Sequence, residues 1–374
     1  MASDDARARL IAFYLPQFYP LPQNDEWWGK GFTEWTHVSQ AQPLFRGHRQ
    51  PRIPADLGFY DLRVPEARAA QAALAREHGI EAFCYWHYWF AGDRLLERPF
   101  GEVLASGEPD FPFCLGWANH DWTTDWFGAG RVLQDQQYSH EDDVAHTRWL
   151  LTAFADHRYL RVDGRPVFLV YRPHDLPETA RTAETIRAEC TRAGLGEPYL
   201  LGVDAYAFGR DLRSKGFDGT VSWEPQFGLL PQYLTHGPRP ARLWRNLRLG
   251  IASPTLRIYD VEFLRARTRQ RRARIRHPYH PTVLVGWDNT PRRGRDGIVL
   301  VNDDLAHFED RLAEAIDGVA PRPFEERLVF LNAWNEWGEG NYLEPDLDTG
   351  RERLEAVRRV SSTVRAAGEQ VCAP

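Results

Sequence analysis

Lysine is almost missing from this sequence. Of 374 residues only Lys30 and Lys215 are lysine, so arginine supplies 44 of the 46 basic residues. That bias assigns no function by itself. Long apolar runs are missing too: no stretch of about 18 apolar residues occurs, which excludes a membrane-spanning helix. The start of the chain is charged and has no apolar leader core, which predicts a cytoplasmic protein, at most peripheral to an inner membrane. The four cysteines, Cys84, Cys114, Cys190 and Cys372, show no CxxC or His-linked spacing. This argues against zinc and against a disulfide framework. No GxGxxG or GxxxxGK[ST] follows a strand-like run, so the usual dinucleotide and P-loop sites are excluded. His87, His120, Asp121 and Asp204 could form a metal site, but no HxH or HExxH spacing supports one. The expected chemistry therefore uses no metal and no cofactor.

Tryptophan is plentiful. Aromatic residues make up 13% of the chain and 14 of them are Trp. Eight short apolar runs recur along the sequence, at 10–15, 80–86, 111–117, 166–171, 198–203, 217–223, 282–287 and 327–334. Continuous rather than alternating hydrophobicity fits strands buried on both faces of a parallel sheet. Helix signals lie between most of them. Pro65 opens an Ala-rich run that stops at Gly79, and Ser139 precedes Glu141, Asp142 and Asp143. Near the end Leu354, Val357, Val360 and Val364 repeat at helical spacing. Eight strands alternating with helices predict an α/β fold, a single-domain (β/α)₈ TIM barrel over 1–374. An open doubly wound sheet is the alternative. Two connections are long, at about 16–63 and 229–280. The stretch from Arg239 to Arg276 holds 12 Arg against Asp260 and Glu262, a local charge of +10 in a chain of net charge −6. It reads either as a solvated helical excursion or as a contact for an anionic lipid or diphosphate-lipid. Nucleic acid is not expected, because the segment has few interleaved aromatics and the remainder of the chain is acidic.

Catalytic groups of such barrels lie at the C-terminal ends of the strands. Twelve of the 14 Trp fall on that inferred face, all but Trp149 and Trp244. Trp and Tyr interleaved with acids and amides suit a sugar, whose C–H faces stack on rings and whose hydroxyls need polar partners. Tyr14, Gln17, Glu34, Trp35, Trp86, His87, Trp117, Asn119, His120, Tyr171, Asp204, Glu224, Trp287, Asp288, Asn335 and Trp337 are the candidate substrate-binding residues. The most informative segment is Asn335-Glu336-Trp337-Gly338-Glu339. Glutamates three apart on one turn face the same way, and two carboxylates around an anomeric carbon are what glycosidic chemistry uses. Repulsion and loss of water should raise one pKa, leaving an acid beside a base.

Several motifs carry a resemblance. Phe13-Tyr14-Leu15-Pro16-Gln17-Phe18, Gly31-Phe32-Thr33-Glu34-Trp35, Trp117-Ala118-Asn119, Gly286-Trp287-Asp288-Asn289-Thr290-Pro291-Arg292 and Asn332-Ala333-Trp334-Asn335-Glu336-Trp337-Gly338-Glu339-Gly340 resemble the WbsX family. That family is named for glycosyltransferases of lipopolysaccharide O-antigen loci. It is similar in turn to glycoside hydrolase family 99, the endo-α-mannosidases and endo-α-mannanases. The resemblance implies a barrel with metal-free, retaining chemistry and both catalytic carboxylates in the strand-eight motif. Glu336 would then deprotonate the sugar 2-hydroxyl to give a 1,2-anhydro sugar. Glu339 would protonate the leaving oxygen and then activate water or an acceptor. The chain departs in having Gly338 where the mannosidases tend to have His. Three functions follow: a retaining enzyme that cleaves or transfers units of a bacterial polysaccharide, a glycosyltransferase of O-antigen or capsule synthesis, and a non-catalytic glycan-binding module.

Overall fold

A computed structural model describes residues 7–124, 130–206, 209–230, 248, 250 and 255–362. Eight parallel strands form its centre. They are β1 (Arg9–Tyr14), β2 (Ala82–Phe90), β3 (Phe113–Trp117), β4 (Arg165–Val170), β5 (Tyr199–Asp204), β6 (Gly219–Ser222), β7 (Tyr279–His280 with Thr282–Leu284) and β8 (Leu328–Asn332). Each pairs with its neighbours in chain order, and β1 also pairs with β8, with Ile11 opposite Ala82 on one side and Phe330 on the other. The ring closes through β7. Its first half pairs with β6 and its second with β8. Pro281 separates the halves because it has no N–H for a ladder, while its carbonyl accepts from Phe330 N at 2.9 Å. The predicted TIM barrel is therefore the fold.

Helices lie between the strands, with Pro65–Glu77, His140–Phe154, Thr179–Arg192 and Leu305–Val319 the longer ones. Pro65 sits in the first turn of its helix, where a missing N–H costs nothing. Ser139 caps its helix by accepting from Asp142 N at 3.1 Å. Glu352–Ser362 contains the predicted Leu354, Val357 and Val360; Val364 lies outside the described residues.

The strand pleat sorts side chains by parity. Phe13 points inward, stacked on Trp86 at 5.0 Å and Phe330 at 5.4 Å, with Trp223 edge-on at 5.3 Å. Tyr14, the next residue, points outward and packs on Phe83 and Tyr85. The barrel interior is thus an aromatic plug, not a channel.

The two predicted long connections have structure of their own. The first holds the short helices Pro22–Trp28 and Glu34–Gln40. The second holds the strand Arg257–Asp260, paired with Ile298–Val301, and the helix Val261–Arg272. Much of the basic segment from Arg239 onward, and Trp244 with it, lies outside the described residues, as do Trp126 and Cys372. In the described part Arg269 pairs with Glu314 and Arg271 with Asp204, both at 2.7 Å. The Arg271 pair is largely buried, while the Arg269 pair lies at the surface. No helix among the described residues is long and apolar enough to cross a membrane.

Candidate active site

The strand-eight motif leaves the barrel by a sharp turn. Asn335 secures its start: its side chain accepts from Leu15 N at 2.7 Å and donates to Leu15 O at 3.0 Å, which ties it to the end of β1. Asn335–Glu336 then pairs antiparallel with Asn341–Tyr342 around the tight turn Trp337–Glu339. Gly340 ends that turn with φ 58°, and a Cβ there would lie 2.9 Å from the Asp288 Cβ. Only glycine satisfies both demands. Asp288 N donates to Glu339 O at 2.6 Å and fixes the turn against the end of β7.

Glu336 and Glu339 converge on one cation. Arg292, in the short helix Thr290–Arg293, contacts Glu336 Oε2 through Nη2 at 2.7 Å and Glu339 Oε1 through Nη1 at 2.9 Å. Its Nε donates to Glu34 Oε1 at 2.6 Å. The Arg292 and Glu34 side chains are each only 2% exposed, so the cluster is nearly dry. Three carboxylates around one buried guanidinium cannot all be ionised cheaply. Burial, reinforced by Glu336 and Glu34 against the opposing Arg292, pushes Glu339 up to about 8. Burial also raises Glu336. Arg292 stays protonated because the carboxylates outweigh its burial. Glu339 is thus raised into the range in which a carboxyl keeps its proton at neutral pH, as a general acid at a glycosidic bond must.

A cleft of about 280 Å³ opens beside the cluster, lined among others by Gln17, Trp28, Phe32, Glu34, Arg292 and Asp296. On the barrel side Tyr171 sits edge-on to Trp86 at 5.3 Å and to Trp223 at 5.2 Å. His120 lies 5.5 Å from Tyr171, held neutral by burial. Of the candidates, Glu34 shares Arg292 with the Glu336–Glu339 pair, Tyr171 feels both glutamates, Trp86 and His120 touch Tyr171, and Gln17 lines the cleft beside Glu34.

The other candidates have partners of their own, and four of them, Tyr14, His87, Trp117 and Asp204, lie within barrel strands. Tyr14 donates from its hydroxyl to Gln71 at 2.6 Å, outside the barrel. His87 faces His146 at 3.0 Å and stacks on Trp149 at 4.5 Å. Trp117 packs on the same His146. Asn119 bonds the backbone of Arg172 through both side-chain atoms. Asp204 accepts from Arg271 at 2.7 Å and from the Tyr279 hydroxyl at 3.1 Å. Glu224 lines a separate cavity of about 70 Å³ with Arg265, Thr268, Arg272 and Arg311, and burial raises it to about 8. Trp287 joins a second apolar cluster with Tyr259 and Ile298. Asp288 accepts from Gln50 at 2.7 Å and sits 2.7 Å from His48. Trp35 donates to Tyr60 O, and Trp337 stacks on Tyr342 at 3.8 Å. These residues, with Asn335, are held by partners within the fold. Among the described Trp of that face, Trp35, Trp117, Trp287 and Trp337 are packed into the fold.

Three residues with roles here were not among the candidates. Arg292 stood inside a quoted motif, and the need for a cation among buried acids was the available signal. Tyr88 shares the inward parity of Trp86 and feels both Glu336 and Glu339. Glu344 is 3% exposed and accepts from Tyr60 Oη, Gln71 Nε2 and Trp337 Nε1 at 2.9, 2.6 and 2.6 Å. Each buried donor left unpaired costs about 1–3 kcal/mol, so Glu344→Ala should lower unfolding stability by at least ~3 kcal/mol. A denaturant midpoint shift worth under ~1 kcal/mol would show that these bonds are not holding the turn.

Residues 10–357 match the family described as Glycosyltransferase WbsX. Two proteins of Xanthomonas campestris pv. campestris, each described as "Uncharacterized protein WxcX", are 42% identical over 98% of this chain. The chain spans about half of their length, 51%. Among solved structures, a "Glycoside hydrolase-like protein" superposes with a TM-score of 0.57 at 15% identity, covering 97% of this chain and 96% of that one. The family 99 endo-α-mannosidase of Bacteroides thetaiotaomicron superposes with a TM-score of 0.54, also at 15% identity, covering 94% and 96%. At such identity the likeness establishes the shared barrel fold.

Proposed function

The chain belongs to the Glycosyltransferase WbsX family, and from that premise we propose that it is a carbohydrate-active enzyme whose Glu336 and Glu339 cleave or transfer glycosyl units of a bacterial polysaccharide. The observation that carries the reading is the convergence of both glutamates on Arg292 with Glu339 raised to about 8. Arg292 engages one oxygen of each carboxylate, and the proposed chemistry uses the other. In the proposed mechanism Glu336 takes the proton of the sugar 2-hydroxyl as that oxygen attacks C1. The bond from C1 to the leaving oxygen breaks as Glu339 gives its proton. Glu339 then takes a proton from water or from an acceptor hydroxyl, which attacks C1 and opens the 1,2-anhydro ring. Glu336 returns its proton to O2. The two attacks at C1 give net retention.

The family description favours a second reading, transfer from an activated sugar donor in O-antigen or capsule assembly. One experiment separates the two. The protein is incubated with UDP- and GDP-sugars in one arm and with isolated cell-surface polysaccharide in the other. New reducing ends or rearranged chain lengths in the second arm, lost in Glu336→Gln, support the leading reading. Nucleotide release in the first arm, with an inert second arm, would replace it with the donor-sugar reading.

A further inference from the structure

Glu34 comes from the first long connection, far in sequence from the strand-eight pair, yet its carboxylate is as buried as Arg292. Thr33 caps the helix it opens, through a reciprocal pair of bonds with Thr36. Glu34 N donates to Gln17 O at 3.0 Å, which fixes the helix start against the end of β1. A buried anion at that depth calls for a role. The seat it occupies is the space beside Gly338. A Cβ at 338 would fall within the van der Waals radius of Glu34 Oε1 and lie 2.8 Å from Arg292 Nε. Gly338 has an ordinary backbone conformation and does not need to be glycine for its own turn. Glycine at 338 is thus matched to an acid at 34.

Building on the Glu336–Glu339 reading, we propose that Glu34 is a positioning residue that acts through Arg292 to keep the proton on Glu339, and that glycine at 338 exists to admit it. The argument is one of charge. Without Glu34, one guanidinium would serve two carboxylates and its full field would favour ionising both. With Glu34 on Nε, that field is shared three ways, and Glu34 adds its own negative potential. The acid is then kept loaded while Arg292 still fixes both carboxylates in place. The titratable groups facing Glu339 are Arg292, Glu336 and Glu34, with Tyr88 and Tyr171 on the barrel side. His37 faces Glu34 and Arg292 and is shifted toward its neutral form by burial. Arg293 and Asp296 border the cleft.

The test reads the proton directly, by infrared titration of the buried carboxyl in the full chain, with Glu339→Gln as the assignment control. In Glu34→Gln the midpoint should fall by about one unit from its value near 8, the effect of removing one partly screened buried charge. The alkaline fall in rate on a glycan with a poor leaving group should move to correspondingly lower pH, while the rate on an aryl glycoside should change little. Gly338→Ala should reproduce the shift by displacing the Glu34 carboxylate, and it covers the case in which Glu34→Gln folds poorly. A merely structural Glu34 would lower thermal stability and leave the midpoint in place. An unmoved midpoint in either folded variant overturns the inference. The underlying reading fails separately, if Glu336→Gln and Glu339→Gln keep full activity.

Discussion

Glu339→Gln is expected to slow turnover of a natural glycan by about 10²–10⁴-fold, the usual contribution of general acid catalysis, and to slow an activated aryl glycoside far less in its first step. The substitution keeps the shape and the contact with Arg292 but removes the proton donor. A poor leaving oxygen needs that proton as its bond to C1 breaks; an aryl oxide does not. Glu336→Gln should behave differently and slow both substrates, because attack by the 2-hydroxyl oxygen is required whatever leaves. Burst kinetics and steady-state rates on the matched pair of substrates separate the two patterns. Equal losses for both variants on both substrates would reduce the pair to binding residues.

The second large effect is on stability. Arg292→Ala should destabilise the fold by about 3–5 kcal/mol, the cost of stripping the counter-charge from a buried ion cluster. Glu34, Glu336 and Glu339 all lose their cation together. The deficit should shrink as pH falls, because Glu336 and Glu339, raised by burial above ordinary carboxylates, then take up protons. Adding Glu34→Gln to Arg292→Ala should recover part of the loss, since one fewer charge is stranded and the sites share a partner. Denaturant unfolding of the three variants at two pH values measures this. A loss near zero, or an additive double variant, would mean that the cluster is solvated rather than buried.

Sequence alone carried the barrel well, for a physical reason. Strands buried on both faces read as continuous apolar runs, and such runs are hard to confuse with anything but a covered parallel sheet or a buried helix. The first half of β7, Tyr279–His280, lies outside the apolar run read at 282–287, which begins directly after Pro281. The site was less legible. Runs that are apolar on both faces hide which residue points in, so Tyr14 and Phe13, or His87 and Trp86, look equivalent until the sheet is built. Tyr14, His87 and Trp117 are turned away from Phe13 and Trp86 by that parity. The Glu336–Glu339 spacing survived because it depends on one local turn. Arg292, Glu34 and Gly338 depend on three segments meeting, and the charge balance that ties them becomes visible only when their burial is known.

The most direct test of the central claim is the pH dependence of kcat/KM on a glycan with a poor leaving group. The acid works only while protonated, so the rate should fall as pH rises through about 8, the value at which Glu339 gives up its proton. The same limb should be absent in Glu339→Gln and weak for an aryl glycoside in the unmodified protein. A wild-type profile that stays flat well above that pH, or an alkaline limb that persists in Glu339→Gln, would contradict the assignment of Glu339 as the proton donor.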